Sequence, residues 1–182
     1  MLRPYAVPFF LAALAGSALA DPPPIAAPYG LTWKQSKEAV EALGTPLTGC
    51  EQQETTEVCD LAAVPQPPAG VIPDFFRVRF DAEGLTAVSL ASATIASDPD
   101  GATGKTVYEA LRKDIVAVYG EGERTEKVGQ IMPYMAPNEF YECLDFDGCG
   151  TWETRWGGGD LVLGLKGLKP GEGYVMVNYY RP

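Results

Sequence analysis

The stretch FFRVRFDAEGLTAVSLA, residues 75–91, carries the plainest structural signal in the chain. In a strand, successive side chains point to opposite faces. Phe76, Val78 and Phe80 therefore share one face, and Arg77 and Arg79 share the other. DAEG (81–84) reads as a tight turn, and LTAVSLA alternates again on the return. A hairpin of antiparallel sheet is expected here.

Upstream, in GLTWKQSKEAVEALG (30–44), Ser36 sits where an N-cap belongs and Ala39, Val40 and Leu43 share a helical face. Gly44 stands at the left-handed terminator position. Residues 46–62 place Cys50 and Cys59 around the polar run EQQETTE, a second hairpin. Residues 63–74, AVPQPPAGVIPD, form a proline-punctuated connector.

Downstream, Thr106 followed by Glu109 is a capping-box pattern. Tyr108, Leu111, Ile115 and Val118 then make one stripe at helical spacing, and Glu109–Lys113 is an i,i+4 ion pair in the favoured order. Gly120 ends that helix. Residues 121–138 read as a long connector, and the tail as a strand meander: FYECLDF, TWETRW, LVLGL and YVMVNYY, with turns at GGGD and PGEG. The expected fold class is α+β, helices packed on antiparallel sheet. Residues 31–182 form one domain with possible halves 31–97 and 98–182, each running through a helix ending in Gly, a cysteine couple and a hairpin. Either a duplication or a shared α/β layout accounts for that order.

The first 20 residues, MLRPYAVPFFLAALAGSALA, have one basic residue, an apolar run and Ala18-Leu19-Ala20, the small-x-small pattern of a signal peptidase site. The apolar run is too short for a transmembrane span and is interrupted by Pro8. Cleavage after Ala20 is expected, followed by a proline-rich leader (21–30) and a periplasmic or secreted chain without membrane insertion. Four cysteines in an exported chain should pair. Of three connectivities, local pairing of Cys50 with Cys59 and of Cys143 with Cys149 fits the two couples, each flanking what reads as a hairpin.

Charge and composition narrow the function. The 182 residues carry 24 acidic and 14 basic side chains and no histidine. Removal of Arg3 with residues 1–20 makes the chain one unit more acidic. Such a chain has no electrostatic footprint for nucleic acid. The lack of histidine excludes Ser-His-Asp and Cys-His nucleophilic sites and every His-bearing zinc site. GATGKT (101–106) is not a phosphate loop, because two residues rather than four separate Gly101 from Gly104. Asp98, Asp100 and Glu109 fall at positions one, three and twelve of a calcium loop, but Ala102 and Thr103 break the template. Asp145 and Asp147 read as a solvated turn. No cofactor, metal or catalytic residue is expected.

Two motifs carry a family resemblance. GLTWKQSKEAV (30–40) is a Gly-Leu-x-Trp entry into a Ser-capped helix, and Tyr119-Gly120 ends a later helix before a tryptophan-bearing meander. Over residues 29–182 the chain resembles the small bacterial periplasmic modules related to beta-lactamase-inhibitor protein. The resemblance implies helix-plus-antiparallel-sheet repeats, local disulfides and action by binding other proteins. It transfers no contact residue and does not imply binding to a beta-lactamase.

The expected function is therefore that of an exported, non-catalytic protein-binding or accessory module whose partner is another periplasmic or envelope protein. Its candidate contact surface is the apolar centre of the connector, Ile131, Met132, Tyr134 and Met135, since adaptable methionines beside tyrosine in a long loop suit recognition. The alternative is a carbohydrate- or small-ligand-binding domain with Trp152 and Trp156, two residues to one strand face with Thr154 between them, as an aromatic platform.

Overall fold

The hairpin at 75–91 forms as its alternation requires. In a computed structural model that describes residues 23–68, 71–134 and 136–182, β3 (Pro73–Asp81) pairs antiparallel with β4 (Gly84–Ser92), with Arg77 opposite Ser89 and Val78 opposite Val88. Phe76, Val78 and Phe80 are buried, whereas Arg77 and Arg79 are exposed. The turn needs its glycine. Gly84 has φ +106°, and a Cβ there would come within 2.4 Å of the Lys34 carbonyl oxygen. That close approach lets the Lys34 amide donate to the Leu85 carbonyl and the Leu85 amide to the Gln35 carbonyl, at 3.0 and 2.9 Å.

Around this hairpin, β1 (Leu47–Gln53), β2 (Thr56–Leu61), β5 (Glu123–Lys127), β6 (Thr151–Trp156), β7 (Leu161–Lys169) and β8 (Glu172–Tyr180) complete one sheet. Among the described residues its order is β1-β2-β3-β4-β8-β7-β6-β5, antiparallel throughout. Two four-strand meanders thus meet at β4 and β8, where the Ser89 hydroxyl donates to Asn178 Oδ1 at 2.7 Å. The helices α1 (Lys37–Glu41), α2 (Ala102–Tyr119) and α3 (Phe140–Asp145) complete an α+β fold. No helix among the described residues is long and apolar enough to cross a membrane. The signal sequence expected at residues 1–20 and the first two residues of the expected proline-rich leader lie outside the described residues.

Both disulfides form with the expected local pairing, Cys50–Cys59 across β1 and β2 and Cys143–Cys149 in the second half. Ser36 caps α1, its hydroxyl accepting from the Ala39 amide at 3.2 Å, and Val40 is wholly buried.

Three local expectations are corrected. First, α2 starts at Ala102, one turn before Thr106. Asp98, buried upstream, accepts the Thr103 and Gly104 amides at 3.0 and 2.9 Å. The Thr106 hydroxyl instead donates to the Ala102 carbonyl inside the helix, and Glu109 pairs with Arg112 and Arg124. A carboxylate supplied from five residues back satisfies the end of the helix before the local capping pattern is needed. Second, FYECLDF is helix over its first six residues, because Phe140, Tyr141, Cys143 and Leu144 recur at helical spacing and dock on glycines. A Cβ at Gly173 or Gly167 would lie 2.2 or 2.0 Å from the Tyr141 ring or carbonyl oxygen, so those strands make room for the helix. Cys143 therefore ties a helix, not a hairpin strand, to the turn before β6. Third, the connector of 121–138 contains β5.

Candidate functional site

All three helices and the N-terminal segment lie on the sheet face that holds Phe76, Val177 and Thr154. From α2, the Tyr108 hydroxyl meets Thr154 Oγ1 at 2.6 Å. From α3, the Tyr141 ring lies against Gly173 and its hydroxyl donates to Asp98 at 2.8 Å. Lys37 of α1 pairs with Glu57 at 2.7 Å, and the Tyr29 ring stacks edge-on to Phe76 and Tyr179. The opposite face has no covering element among the described residues.

Strand register lays out that uncovered face in rows. One row across β2, β3, β4, β8, β7 and β6 reads Asp60, Arg77, Ser89, Asn178, Val162 and Arg155. The next reads Phe75, Ala91, Met176, Gly164 and Glu153. Small residues on β4, Ala87 and Ser89, leave a shallow trough of about 250 Å³ walled by Val58, Phe75, Arg77, Arg79, Met176 and Tyr180. Arg77 donates through Nε to Asp60 at 2.8 Å and lies 4.9 Å from the Phe75 ring centre. Among the described residues no carboxylate lies within ion-pair distance of Arg79. An arginine without an ion pair among the described residues, lining one trough with aromatic and thioether side chains, suits contact with a protein surface, since arginine, aromatic residues and methionine are enriched in such interfaces. In a chain with ten excess negative charges, Arg77, Arg79 and Arg155 stand on this face beside Asp60 and Glu153.

The connector supplies a second apolar patch. Met132 is 77% exposed and Ile131 37%, and the half-buried Tyr134 ring stacks 5.3 Å from the exposed Phe146. The Gln130 amide bonds the Cys149 carbonyl at 3.1 Å, so this loop is held beside the Cys143–Cys149 bridge. Met135 lies outside the described residues.

The aromatic platform is corrected. Trp152 and Trp156 do share a strand face with Thr154, but it is the covered one. Trp156 is only 4% exposed and donates through Nε1 to the Gly120 carbonyl at 2.8 Å. Trp152 packs edge-on to Phe140 at 5.4 Å, with Lys105 Nζ 5.1 Å from its ring. Since α2 and α3 lie over β6, both indoles are parts of the packing rather than a ligand platform.

The acidic residues weighed as a calcium loop are not assembled into one. Asp98 is engaged by the α2 amides and the Tyr141 hydroxyl, Asp100 accepts from the Ala102 amide at 3.3 Å, and Glu109 faces Arg112 and Arg124. Burial alone would raise the Asp98 pKa, but the two amides and the Tyr141 hydroxyl outweigh it and hold the carboxyl below its ordinary range. Burial, followed by the Asp98 contact, pushes the Tyr141 hydroxyl well above its ordinary value. Asp145 and Asp147 are both exposed at the end of α3.

The alternation of residues 75–91 had already put Arg77 and Arg79 together. Nothing local says which face the helices will leave uncovered, so the trough was not visible in the sequence. Comparison with models of protein families, with curated proteins and with solved structures finds no match to this chain.

Proposed function

We propose that this chain is an exported, non-catalytic protein-binding module that meets its partner through the uncovered sheet face. The observation that carries the proposal is the trough walled by Phe75, Arg77, Arg79, Met176 and Tyr180 on a sheet face that no element among the described residues covers. A broad sheet face with apolar and cationic side chains around small ones can seat a partner without rearranging the fold. The partner class is another periplasmic or envelope protein. The export address rests on residues 1–20, and two disulfides fit an oxidising compartment. Kinship with the modules related to beta-lactamase-inhibitor protein is part of the same proposal. Its support is the pair of motifs at 30–40 and 119–120 and the tandem order of the two meanders.

A second contact reading is favoured by the exposure of Ile131 and Met132. One experiment separates the two. Tagged protein is recovered from the periplasm as wild type, as Arg79→Glu with Met176→Asp, and as Met132→Ser with Tyr134→Ala, and the co-purifying proteins are identified by mass spectrometry. The sheet-face reading expects the first double variant to lose a partner that the second retains. Retention by the first and loss by the second moves the contact to the connector. Retention by both overturns the two surfaces together. The N-terminus of the recovered chain checks the address: it should be Asp21, and a chain retaining residues 1–20 in the cytosol would contradict export.

A further inference from the structure

The two edges of the sheet are built differently. On β1 the pairing shifts between Thr48 and Glu51, and Gly49 there has φ +56°. Such a bulge blunts an edge against pairing with another chain. On β5 the pairing with β6 runs unbroken from Glu123–Arg155 to Lys127–Thr151. No proline interrupts it, and among the described residues nothing pairs with its outer side. A regular edge of this kind leaves main-chain donors and acceptors open to a further strand.

The residues of β5 are Glu123, Arg124, Thr125, Glu126 and Lys127. Laid antiparallel to a second copy about Thr125, Glu123 falls opposite Lys127 and Arg124 opposite Glu126. The faces agree as well. Glu123 and Lys127 lie on the uncovered face, with Arg155 and Thr151 as their β6 neighbours, while Arg124 and Glu126 lie on the helix face beside Thr154 and Trp152. A two-fold axis repeats each pairing, so every charged position of the strand meets its opposite sign. Charges placed only to keep edges apart would put like signs at these positions.

We propose that β5 is a self-association edge, at which a second copy of this chain adds antiparallel and joins the two sheets into one. The contact is one short strand, smaller than the roughly 1,000 Å² of a stable interface, and the net negative charge opposes approach. The dimer is accordingly weak and concentration-dependent. It would set two uncovered faces side by side, giving a partner two points of attachment. It does not depend on the binding reading above.

Charge exchange at Glu123 and Lys127 tests it, because neither is held in an ion pair among the described residues. Sedimentation equilibrium over a concentration series is run on the chain lacking residues 1–20, as wild type, Glu123→Lys, Lys127→Glu and the double exchange, with melting curves to show that each folds. Wild type and the double exchange should dimerise alike, and each single variant should associate at least tenfold more weakly. The two single variants change net charge in opposite directions, so an effect of overall charge would move them apart. A wild type that stays monomeric up to millimolar concentration, single variants that associate like wild type, or single variants ordered by net charge would each overturn the proposal.

Discussion

Asp98 shows how much one side chain organises. Its carboxylate holds the first turn of α2 and the hydroxyl of α3 at once, joining two helices that are separate in the sequence. Replacing it with Asn keeps the shape but removes the charge, and because the amide nitrogen cannot accept, at least one of the three hydrogen bonds is lost as well. The expected loss is about 2–3 kcal/mol in chemical denaturation at neutral pH, as for hydrogen bonds to a buried charged group. The pH dependence follows from the direction of the shift. The folded pKa is lowered, so the stabilisation is fully present above the unfolded carboxyl's pKa and is lost as pH falls through the folded value. Melts between pH 2 and pH 7 should therefore show a larger acid-side loss in wild type than in Asp98→Asn. Identical acid limbs in the two proteins would show that Asp98 does not carry the effect.

At the scale of elements, α2 separates pattern from packing. Tyr108, Leu111 and Ile115 are buried as their spacing requires, whereas Val118, one turn further on, is 61% exposed. The stripe runs past the strands it covers. Ile115→Ala should cost roughly 2–4 kcal/mol through lost burial and the cavity left behind. Val118→Ala should stay within about 0.5 kcal/mol, as surface substitutions do. Equal effects in denaturant titrations would contradict the docking of this helix. The second disulfide also belongs at this scale, since it closes a short loop that fixes α3 to the start of β6 and holds the exposed connector beside it. Replacing Cys143 and Cys149 together with Ala should lower stability by about 2–3 kcal/mol on the chain-entropy account of a short loop. Circular dichroism in a urea series measures it, and an unchanged midpoint would show that the bridge is not needed to hold α3.

At the scale of the molecule, the two meanders share one hydrophobic core. Leu90 pairs with Val177 and Val88 with Tyr179 across the junction, and residues of both halves form a continuous buried cluster with Tyr108 and Tyr141. With so much apolar surface shared, the halves should unfold together. Far- and near-ultraviolet circular dichroism should give coincident thermal transitions, and two resolved steps would mean that each half holds a core of its own.

The sequence determined the class, the hairpin at 75–91, the cap at Ser36 and the pairing of the cysteines. Each of these depends on neighbours along the chain: strand alternation, a hydroxyl three residues from an amide, thiols brought close by a short loop. Tertiary structure decided where contacts between distant segments outweighed local preference. Asp98 displaced the capping pattern at Thr106, and glycines of β7 and β8 seated FYECLD as a helix. The assignment of the faces was also tertiary. Strand alternation says that Arg77 and Arg79 share a side and that Trp152 and Trp156 share a side. Only the placement of α2 and α3 covers the indoles, Trp156 wholly and Trp152 in part, and leaves the arginines in the open, because a helix covers whichever face its own apolar side chains can fill.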